Sequence, residues 1–291
     1  MKKIAVVTNY NITDKIKAAD IVIHKLLEFE EVSVYVPVYG SERVSKDFQK
    51  NERVVFTSME EVYSEAELVI VLGGDGSILE AARRLTNYGT PILGINLGHL
   101  GFMAELEMNE LNLLDKYFSG EYEIEARSML SVELIGADGK SKTKAYALND
   151  AVVSNGSISR IVDLELYDDE NLVASLRSDG IIVATPTGST AYSMSAGGPI
   201  ISPVVKCLCV TPICSHSLTT RPVIFPEDSN IRIRNISKRE RMLYVTLDGR
   251  NNYEMLFNDS IIVTKSEKAT NLVRLKKYDF YNKLHQKMSN Q

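Results

Sequence analysis

Short apolar runs alternate with a helix-periodic segment over the first hundred residues of the chain. The runs that predict strands are Ile4–Thr8, Ser33–Val36, Val54–Phe56, Leu68–Leu72 and Ile92–Ile95. Apolar side chains recur at helical spacing at Ile16, Ala19, Ile23 and Leu26. The run LVIVL, residues 68–72, is apolar at every position, as expected of a strand covered on both faces. The pattern predicts an α/β domain with a parallel, doubly wound sheet.

The pattern changes from about Met129 onward to period-2 runs separated by turn signals. The signals are A-D-G-K at 137–140, S-N-G-S at 154–157, D-D-E-N at 168–171, L-D-G-R at 247–250 and F-N-D-S at 257–260. This rhythm predicts an all-β, sandwich-like domain over residues 128–275, after an α/β domain over residues 1–127. The tail has Phe280 and Leu284 at helix-like spacing within Tyr278–Lys287. We expect residues 276–291 to pack back on the first domain.

Composition and charge argue against nucleic-acid-binding, membrane and secreted proteins. With 291 residues and 44% hydrophobic positions, the chain is long enough for two domains. A formal net charge of −5 and a pI near 5.6 predict no basic surface for nucleic acid or an anionic membrane. The first apolar run ends at Thr8, too short for a signal peptide, and no run approaches a membrane span. We therefore expect a cytoplasmic protein.

Three cysteines and a histidine lie within ten residues, at Cys207, Cys209, Cys214 and His216. They are potential zinc ligands, but structural zinc sites usually use two to four residues between paired cysteines, and the first pair here has one. Three crowded thiols also make no disulfide framework. We interpret the cysteines as small buried hydrophobic residues and predict no metal site.

The stretch GGDGS, residues 73–77, follows the apolar run LVIVL and precedes a helical pattern. Ser77 and Glu80 have the spacing of a capping box, which predicts a helix from Ser77 to about Asn87–Gly89. Backbone amides at a helix N-terminus, on the carboxyl edge of a parallel strand, favour an anionic ligand. Asp75 among glycines suits phosphoryl transfer, but the motif alone also fits a plain strand-to-helix turn.

Two common nucleotide motifs are missing from the chain. GxxxxGK[ST] does not occur, and G-D-G-S-I-L lacks the third glycine of GxGxxG. A second signal is the uncharged stretch Thr185–Ile200, rich in Thr, Ser and Gly, which follows the apolar run Ile181–Ala184. Long loops without regular structure are uncommon unless they bind something, and these hydroxyls and amides suit a ribose and an amide-bearing ligand.

Several motifs together resemble those of ATP-NAD kinases. They occur in the family's order and span most of the chain: GGDGS at 73–77, NLGHLGFM at 96–103, LNDAVVS at 148–154, RSDG at 177–180 and TPTGSTAYSMSAGGPI at 185–200. GGDG alone is shared with diacylglycerol, sphingosine and some phosphofructo-kinases, whereas the last motif is highly specific. The resemblance implies transfer of phosphate from ATP, or polyphosphate in some members, to the 2′-hydroxyl of the adenosine ribose of NAD, with a divalent metal such as Mg²⁺.

The resemblance also assigns site residues. Asp75 would be the catalytic acid-base residue, and Gly73, Gly74, Gly76 and Ser77 would bind the donor phosphates. The residues implied for NAD are Asp75, Gly76, Leu79, Phe102, Asn149, Asp150, Arg177, Asp179, Thr187, Thr190, Ala191, Tyr192 and Ser195. Phe102 would pack on the adenine, with Leu79 on the other side of the pocket. Asp150 stands where the family more often has Glu.

Some of these assignments have structural alternatives. Phe102 also fits a core aromatic, Asp179 a D-G turn, and Arg177 an exposed strand-end arginine. As a functional residue, Arg177 is expected to contact either phosphate or a neighbouring subunit. His99 is interpreted as a loop-positioning residue and His216 as structural. The resemblance further implies a homo-oligomer, a tetramer or a dimer. A lipid kinase with GGDG and a non-catalytic NAD(P)-binding sensor stay open as rival functions.

Overall fold

The chain divides into two compact units. The computed structural model describes residues 1–98, 101–156, 161–217, 219–239, 242–277 and 280–289. The first unit comprises Met1–Ala126 and Thr270–Gln291, and the second comprises Arg127–Ala269. The return to the first unit comes at residue 270, before the predicted boundary at 275/276. The chain returns before residue 275 because Leu272 already pairs in parallel with Ile92 of the first unit's sheet.

Helices and strands fill most of the described chain. The α-helices are α1 (Thr13–Leu27), α2 (Met59–Glu65), α3 (Asp75–Leu85), α4 (Leu114–Ser119), α5 (Tyr192–Ser195) and α6 (Phe280–Ser289). The first strands are β1 (Lys2–Val7), β2 (Val32–Pro37), β3 (Val54–Thr57), β4 (Leu68–Leu72), β5 (Ile92–Asn96) and β6 (Leu106–Glu107). The later strands are β7 (Glu123–Ile135), β8 (Ser141–Ala147), β9 (Asp150–Ser154), β10 (Val162–Asp168), β11 (Asn171–Ser178), β12 (Gly180–Ala184), β13 (Cys207–Ile213), β14 (Val223–Pro226), β15 (Ile231–Asn235), β16 (Met242–Leu247), β17 (Asn251–Leu256) and β18 (Ser260–Arg274).

The first unit is built on a parallel sheet with the order β3–β2–β1–β4–β5. Every residue of β4 and β5 is buried, as the continuous apolar runs predict. The strand order reverses between β1 and β4, and ligands of open α/β sheets bind outside the carboxyl ends of the strands at such a point. The hydroxyl of Thr8 donates to the carbonyl of Leu72 over 2.8 Å and ties these two strand ends together.

The second unit consists of antiparallel strands around a large apolar core. One sheet has the order β14–β13–β12–β9–β16–β17, and β11, β10, β15 and β18 run side by side in another. Inward positions alternate along the strands, as with Val162, Leu164 and Leu166 of β10 against Ile181 and Val183 of β12 in the same core. This alternation is the period-2 pattern of the sequence, and the predicted α/β plus all-β fold class is confirmed.

Some sequence-based assignments include positions outside the described residues: Ser157 of the S-N-G-S turn, His99 and Leu100 of the NLGHLGFM motif, and Tyr278 at the start of the predicted tail helix. The tail helix itself, α6, begins at Phe280. Within the ranges described, none of the helices is both long and apolar enough to cross a membrane.

Candidate active site

The glycine turn joins β4 to α3 at the carboxyl edge of the parallel sheet. Helix α3 begins at Asp75, with Gly74 in extended conformation as its N-cap. The predicted capping box at Ser77 and Glu80 is therefore wrong, and the helix starts two residues earlier than expected. The amide of Ser77 donates to the carbonyl of Gly74 over 2.9 Å, and the Glu80 carboxylate instead pairs with Arg83 and Arg84.

The glycines of this turn have different structural roles. A Cβ on Gly73 would lie 2.3 Å from Ser77 Oγ, so the turn requires glycine there. A Cβ on Gly74 or Gly76 would meet nothing within 4 Å, so these two leave open space over the backbone. The first amides of an α-helix have no partner within the helix and the helix dipole favours an anion there. The turn thus presents uncovered amides at the start of α3.

The carboxylate of Asp75 is fixed by the segment that follows β5. The amide of Phe102 donates to Asp75 Oδ2 over 2.9 Å, and the amide of Met103 donates to Oδ1 over 3.0 Å. Gly101 allows this approach, because a Cβ there would lie 2.3 Å from Asp75 Oδ1. The side chain keeps 29% of its surface exposed. Asp75 is therefore held in one orientation while both oxygens retain lone pairs for a ligand.

Phe102 is buried in the first unit and faces α6. Its ring centroid lies 5.8 Å from that of Phe280, and Lys287 Nζ lies 4.5 Å from the Phe102 centroid. The ring thus has the surroundings of a core aromatic, the alternative that the sequence left open, and its contact with adenine stays a prediction. Leu79 is half-buried on α3. His99 lies outside the described residues.

In the second unit, Asn149 and Asp150 stand at the start of β9 and Asp150 is only 4% exposed. Burial raises the pKa of the Asp150 carboxyl to about 7, and the neighbouring carboxylate of Asp248 adds to this increase. The N-D pair is therefore not a simple surface turn. Its aspartate changes charge near neutral pH.

Asp248 organises this pair, although the sequence indicated only a turn at L-D-G-R. Its carboxylate accepts hydrogen bonds from the amides of Leu148 at 2.9 Å, Asn149 at 2.7 Å and Asp150 at 3.2 Å. The residue has a left-handed backbone with φ of 50°. An aspartate directly before glycine was the available signal, since Asp tolerates this conformation and binds nearby amides.

The segment after β12 is tied to the same pair. Thr185 Oγ1 donates to the carbonyl of Leu148 over 2.6 Å and accepts from the amide of Gly188 over 3.0 Å. A Cβ on Gly188 would lie 2.0 Å from the carbonyl oxygen of Asn149, so only glycine fits this contact. The expected irregular loop also contains regular turns, a 3₁₀ turn at Gly188–Thr190 and the short helix α5.

The remaining loop residues vary in exposure. Thr187 is buried, and its hydroxyl accepts a bond of 3.3 Å from the guanidinium of Arg127, a buried cation that the sequence did not single out. Thr190 Oγ1 donates to the carbonyl of Thr187 over 3.2 Å. Ala191 is half-buried, while Tyr192 and Ser195 are exposed on α5. The segment from Thr187 to Ser195 therefore changes from buried positions near the N-D pair to exposed positions on α5.

Arg177 and Asp179 lie elsewhere on this unit. In the β12–β9 ladder, Ala184 pairs with Asp150, whereas Gly180 pairs with Ser154 at the other end. Asp179, next to Gly180, is thus about 13 Å or more along the strand from the N-D pair. Arg177 is exposed and forms an ion pair of 3.8 Å with Asp163. Within one chain, these two residues do not join the cluster around Asp150.

The cysteines differ from one another. Cys207 and Cys209 are buried in β13, as expected, and burial raises the pKa of both thiols. Cys214 is exposed and has a φ of 45°, so the interpretation as a buried residue is wrong for this position. It directly follows Ile213, the last residue of β13. The backbone amide of His216 donates to the carbonyl of Arg177 over 2.9 Å.

Comparisons with known proteins agree with the two units and their motifs. A family model of the ATP-NAD kinase N-terminal domain matches residues 4–122, and a model of the ATP-NAD kinase C-terminal domain matches residues 148–275. An NAD kinase from Thermoanaerobacter sp. (strain X514) is 39% identical over 290 residues, 99% of either chain. An NAD kinase from Symbiobacterium thermophilum is 43% identical over 228 residues, 78% of this chain and 80% of that protein.

Solved structures give the same result. The crystal structure of a yeast NADH kinase complexed with NADH superimposes with a TM-score of 0.90 at 27% identity and covers 99% of this chain and 88% of that chain. An NAD kinase from Archaeoglobus fulgidus in complex with ATP superimposes with a TM-score of 0.73 at 25% identity over 100% of both chains. These matches favour NAD kinases over the lipid-kinase and sensor alternatives. The chain is an enzyme that belongs to the ATP-NAD kinase family.

Proposed function

We propose that this enzyme transfers the γ-phosphoryl group of ATP to the 2′-hydroxyl of the adenosine ribose of NAD, which gives NADP and ADP. The observation that carries the proposal is the fixed carboxylate of Asp75 in a glycine turn, at the point where the strand order of a parallel sheet reverses. The solved relatives support the two substrate classes, because one was crystallised with NADH and the other with ATP.

Asp75 would act as the general base. A sugar hydroxyl is a poor nucleophile near neutral pH, and a positioned base contributes roughly 10²–10⁴ in rate. As the 2′-oxygen attacks the γ-phosphorus, its proton passes to Asp75, the bond from the γ-phosphorus to the bridging oxygen breaks, and ADP leaves with that electron pair. The amides of Phe102 and Met103 hold the carboxylate ready for this step and so reduce its freedom before the substrate arrives.

The donor phosphates would lie against the turn formed by Gly73, Gly74, Gly76 and Ser77. The amides of Gly73 and Ser77 already donate to the carbonyls of Ile95 and Gly74, so a phosphate would use the amides of Gly74 and Gly76. The open space at Gly74 and Gly76 supports this, because a phosphate needs close access to backbone N–H groups. A chain of inorganic polyphosphate presents the same oxygens, so polyphosphate is the alternative donor to compare with ATP.

The residues assigned to the dinucleotide in the first unit are Leu79 and Phe102, and in the second unit they belong to the N-D pair, to the loop and to the turn before Gly180. The second-unit residues are Asn149, Asp150, Thr187, Thr190, Ala191, Tyr192 and Ser195, together with Arg177 and Asp179. The support is the connected hydrogen-bond network around Asp248 and Thr185, which fixes the positions of the N-D pair and of the segment after β12. Arg177 and Asp179 are distant from the N-D pair in a single chain, so they would act from a second copy.

A divalent cation such as Mg²⁺ is part of the proposal. In the described part of the chain, no group of three or more His, Cys, Asp or Glu side chains could hold a metal alone. Asp75 offers one partly exposed carboxylate. Mg²⁺ commonly uses one or two carboxylates together with substrate phosphates and water, so these residues fit a cation that binds with the donor. When bound, it would neutralise charge on the phosphates.

The test is an ATP- and Mg²⁺-dependent assay of NADP formation, read with an NADP-specific dehydrogenase. NAD and NADH are tried as acceptors, and ATP and polyphosphate as donors. We expect Asp75→Asn to lose roughly 10²–10⁴ in turnover while NAD binding remains. The matched control is Asp14→Asn, since this aspartate is exposed on α1. Asp75→Asn turnover within a few-fold of the wild type, or a wild type that forms no NADP, would contradict the proposal.

A further inference from the structure

The face of helix α6 that packs against the loop holding Asp75 carries lysines. Phe280, Lys283 and Lys287 follow one another at i, i+3 and i+7, which places them on one side of the helix. Phe280 packs near Phe102, and Lys283 Nζ donates to the carbonyl of Ala104 over 2.6 Å. The packed face of α6 therefore combines one aromatic ring with two lysines.

A packed helix face normally buries apolar side chains, so two half-buried lysines here need a reason. Burial lowers the pKa of Lys283 to about 8, and the nearby Arg274 lowers it further. The acidic groups in this region are largely engaged. Glu105 binds the guanidinium of Arg274 at 3.0 Å, and Glu110 pairs with Lys276 at 2.8 Å. Glu105 and Glu110 are therefore engaged with other cations, whereas Lys287 lies beside Asp75.

Lys287 is the lysine of α6 nearest the glycine turn. Its Nζ lies 3.9 Å from Asp75 Oδ2, near the limit for an ion pair, and both side chains remain about one-third exposed. Such exposed, long ion pairs contribute little to stability. A lysine has a flexible stem, so Lys287 can leave this contact for a stronger anion at little cost.

A second lysine approaches the same turn from a different helix. Lys15 of α1 has its Nζ 3.8 Å from the position of a Cβ on Gly73. It is half-buried, whereas Lys17 on the same helix is exposed and pairs with Asp14. Lys15 and Lys287 therefore stand near the two ends of the short stretch Gly73–Asp75, one from α1 and the other from α6.

We propose that Lys15 and Lys287 bind the phosphate oxygens of the triphosphate donor at this turn. This inference rests on the proposed function, because it assigns residues to its donor site. Each ammonium group supplies charged hydrogen-bond donors, whereas the backbone amides are neutral donors. Together the two lysines offset part of the negative charge of the triphosphate. On donor binding, Lys287 exchanges the 3.9 Å contact with Asp75 for a phosphate oxygen, which frees that carboxylate oxygen for the acceptor hydroxyl.

The experiment compares Lys15→Gln and Lys287→Gln with Lys17→Gln, which removes the same charge from an exposed position. We expect each test variant to raise the KM for ATP about tenfold and the KM for NAD less than twofold, with Lys17→Gln unchanged, because a charge-assisted hydrogen bond is stronger than a neutral one. Lys287→Arg should recover much of the ATP affinity, since it restores the cation. Thermal unfolding of each variant confirms that it is folded.

Binding of ATP without NAD, measured by equilibrium dialysis, separates this inference from the proposed function. If the wild type makes no NADP, the proposed function fails, while dialysis still reports whether the two lysines bind the triphosphate. If Lys287→Gln and Lys15→Gln bind ATP as the wild type does, the inference is wrong even when NADP forms. Higher activity of Lys287→Gln would also overturn it, because the lysine would then obstruct the site.

Discussion

Asp75 and Asp150 are both carboxylates next to backbone turns, but their surroundings differ in kind. Asp75 accepts two amide hydrogen bonds and stays partly exposed, so its position is fixed while it can still meet a ligand. Asp150 is buried beside the carboxylate of Asp248, and this environment favours its neutral, protonated form. The surroundings of Asp75 therefore fix its orientation, whereas those of Asp150 change its protonation state.

The raised pKa of Asp150 predicts a pH-dependent stability. The unfolded chain releases this proton near its ordinary value of 3.8, whereas the folded protein keeps it until about pH 7. Between these values the folded state binds more protons, so the free energy of unfolding falls as pH rises. Asn cannot ionise, so the free energy of unfolding of Asp150→Asn should lack this fall. From pH 5 to pH 8, the variant should therefore become more stable relative to the wild type by about 2 to 3 kcal/mol, since one pKa unit is about 1.4 kcal/mol.

Denaturant unfolding at the two pH values measures this difference. The control is Asp138→Asn, because that aspartate is exposed in the turn between β7 and β8. A stability difference between Asp150→Asn and the wild type that does not change with pH would mean that Asp150 is already ionised in the folded protein at pH 5.

Gly101 gives a second prediction at this scale. An alanine Cβ at Gly101 would lie 2.3 Å from Asp75 Oδ1, so the carboxylate must leave the amides of Phe102 and Met103. We expect Gly101→Ala to lower kcat roughly 100-fold, because a misplacement of about 1 Å can have that effect. Gly98→Ala is the matched control, since a Cβ there meets nothing within 4 Å. Equal kcat values for the two variants would argue against a role for the Asp75 orientation.

The sequence could predict individual residues only where the chemistry is local. Asp75 was identifiable because glycines surround it, and Asn149–Asp150 because they belong to a motif. Asp248 was not, since its partners lie about a hundred residues earlier and are backbone amides without a side-chain signature. Cys214 looked like its neighbours in composition, but it lies past the end of β13, where burial stops.

At the scale of elements, apolar periodicity predicted the strands of the first unit well, because a strand buried on both faces must be apolar throughout. Leu68–Leu72 agrees in full, and Ile4–Thr8 is shifted by one or two residues to Lys2–Val7. The start of α3 was missed because Gly74 serves as the N-cap, although serine is the commoner residue for that role. The short turns after Gly188 depend on a contact with the carbonyl of Asn149, which no local pattern encodes.

Helix α5 leads to a prediction about the loop. Tyr192 is 47% exposed, so its ring contributes little to the core and is available to a ligand. We expect Tyr192→Ala to raise the KM for the dinucleotide several-fold, more than the KM for ATP, with little change in thermal stability. The control is Tyr281→Ala, an exposed tyrosine on α6. Equal shifts of the two KM values in Tyr192→Ala would contradict its assignment to the dinucleotide.

At the scale of the whole molecule, the change from an α/β pattern to an all-β pattern indicated two domains. The residue at which the chain returns to the first unit was harder to predict. Arg274 is buried, and its guanidinium binds the carboxylates of Glu105 and Glu125 in the first unit. The boundary predicted at 275/276 lies just after this residue, whereas the chain returns to the first unit at Thr270. Buried ion pairs of this kind are invisible to patterns that count apolar residues.

The last prediction concerns assembly, and we propose that the enzyme is a homo-oligomer. Strands β14 and β17 are the outer strands of the six-stranded sheet, and they expose Val223, Ile224 and Leu256. Apolar side chains on sheet edges are usually covered by a partner, because open edges favour aggregation. A closed oligomer also accounts for Arg177 and Asp179, which stand apart from Asp150 in one chain and can serve the site of a neighbouring copy.

Light scattering after size exclusion should therefore give two or four times the chain mass of 32.5 kDa. Ile224→Glu should shift the mass towards one chain and reduce NADP formation, whereas Leu172→Glu, at an exposed leucine of β11, should leave both unchanged. A wild type that is monomeric and active at the same concentration would refute this proposal. In that case Arg177 and Asp179 would have no route to the dinucleotide, and the other residues assigned to it would bind it without them.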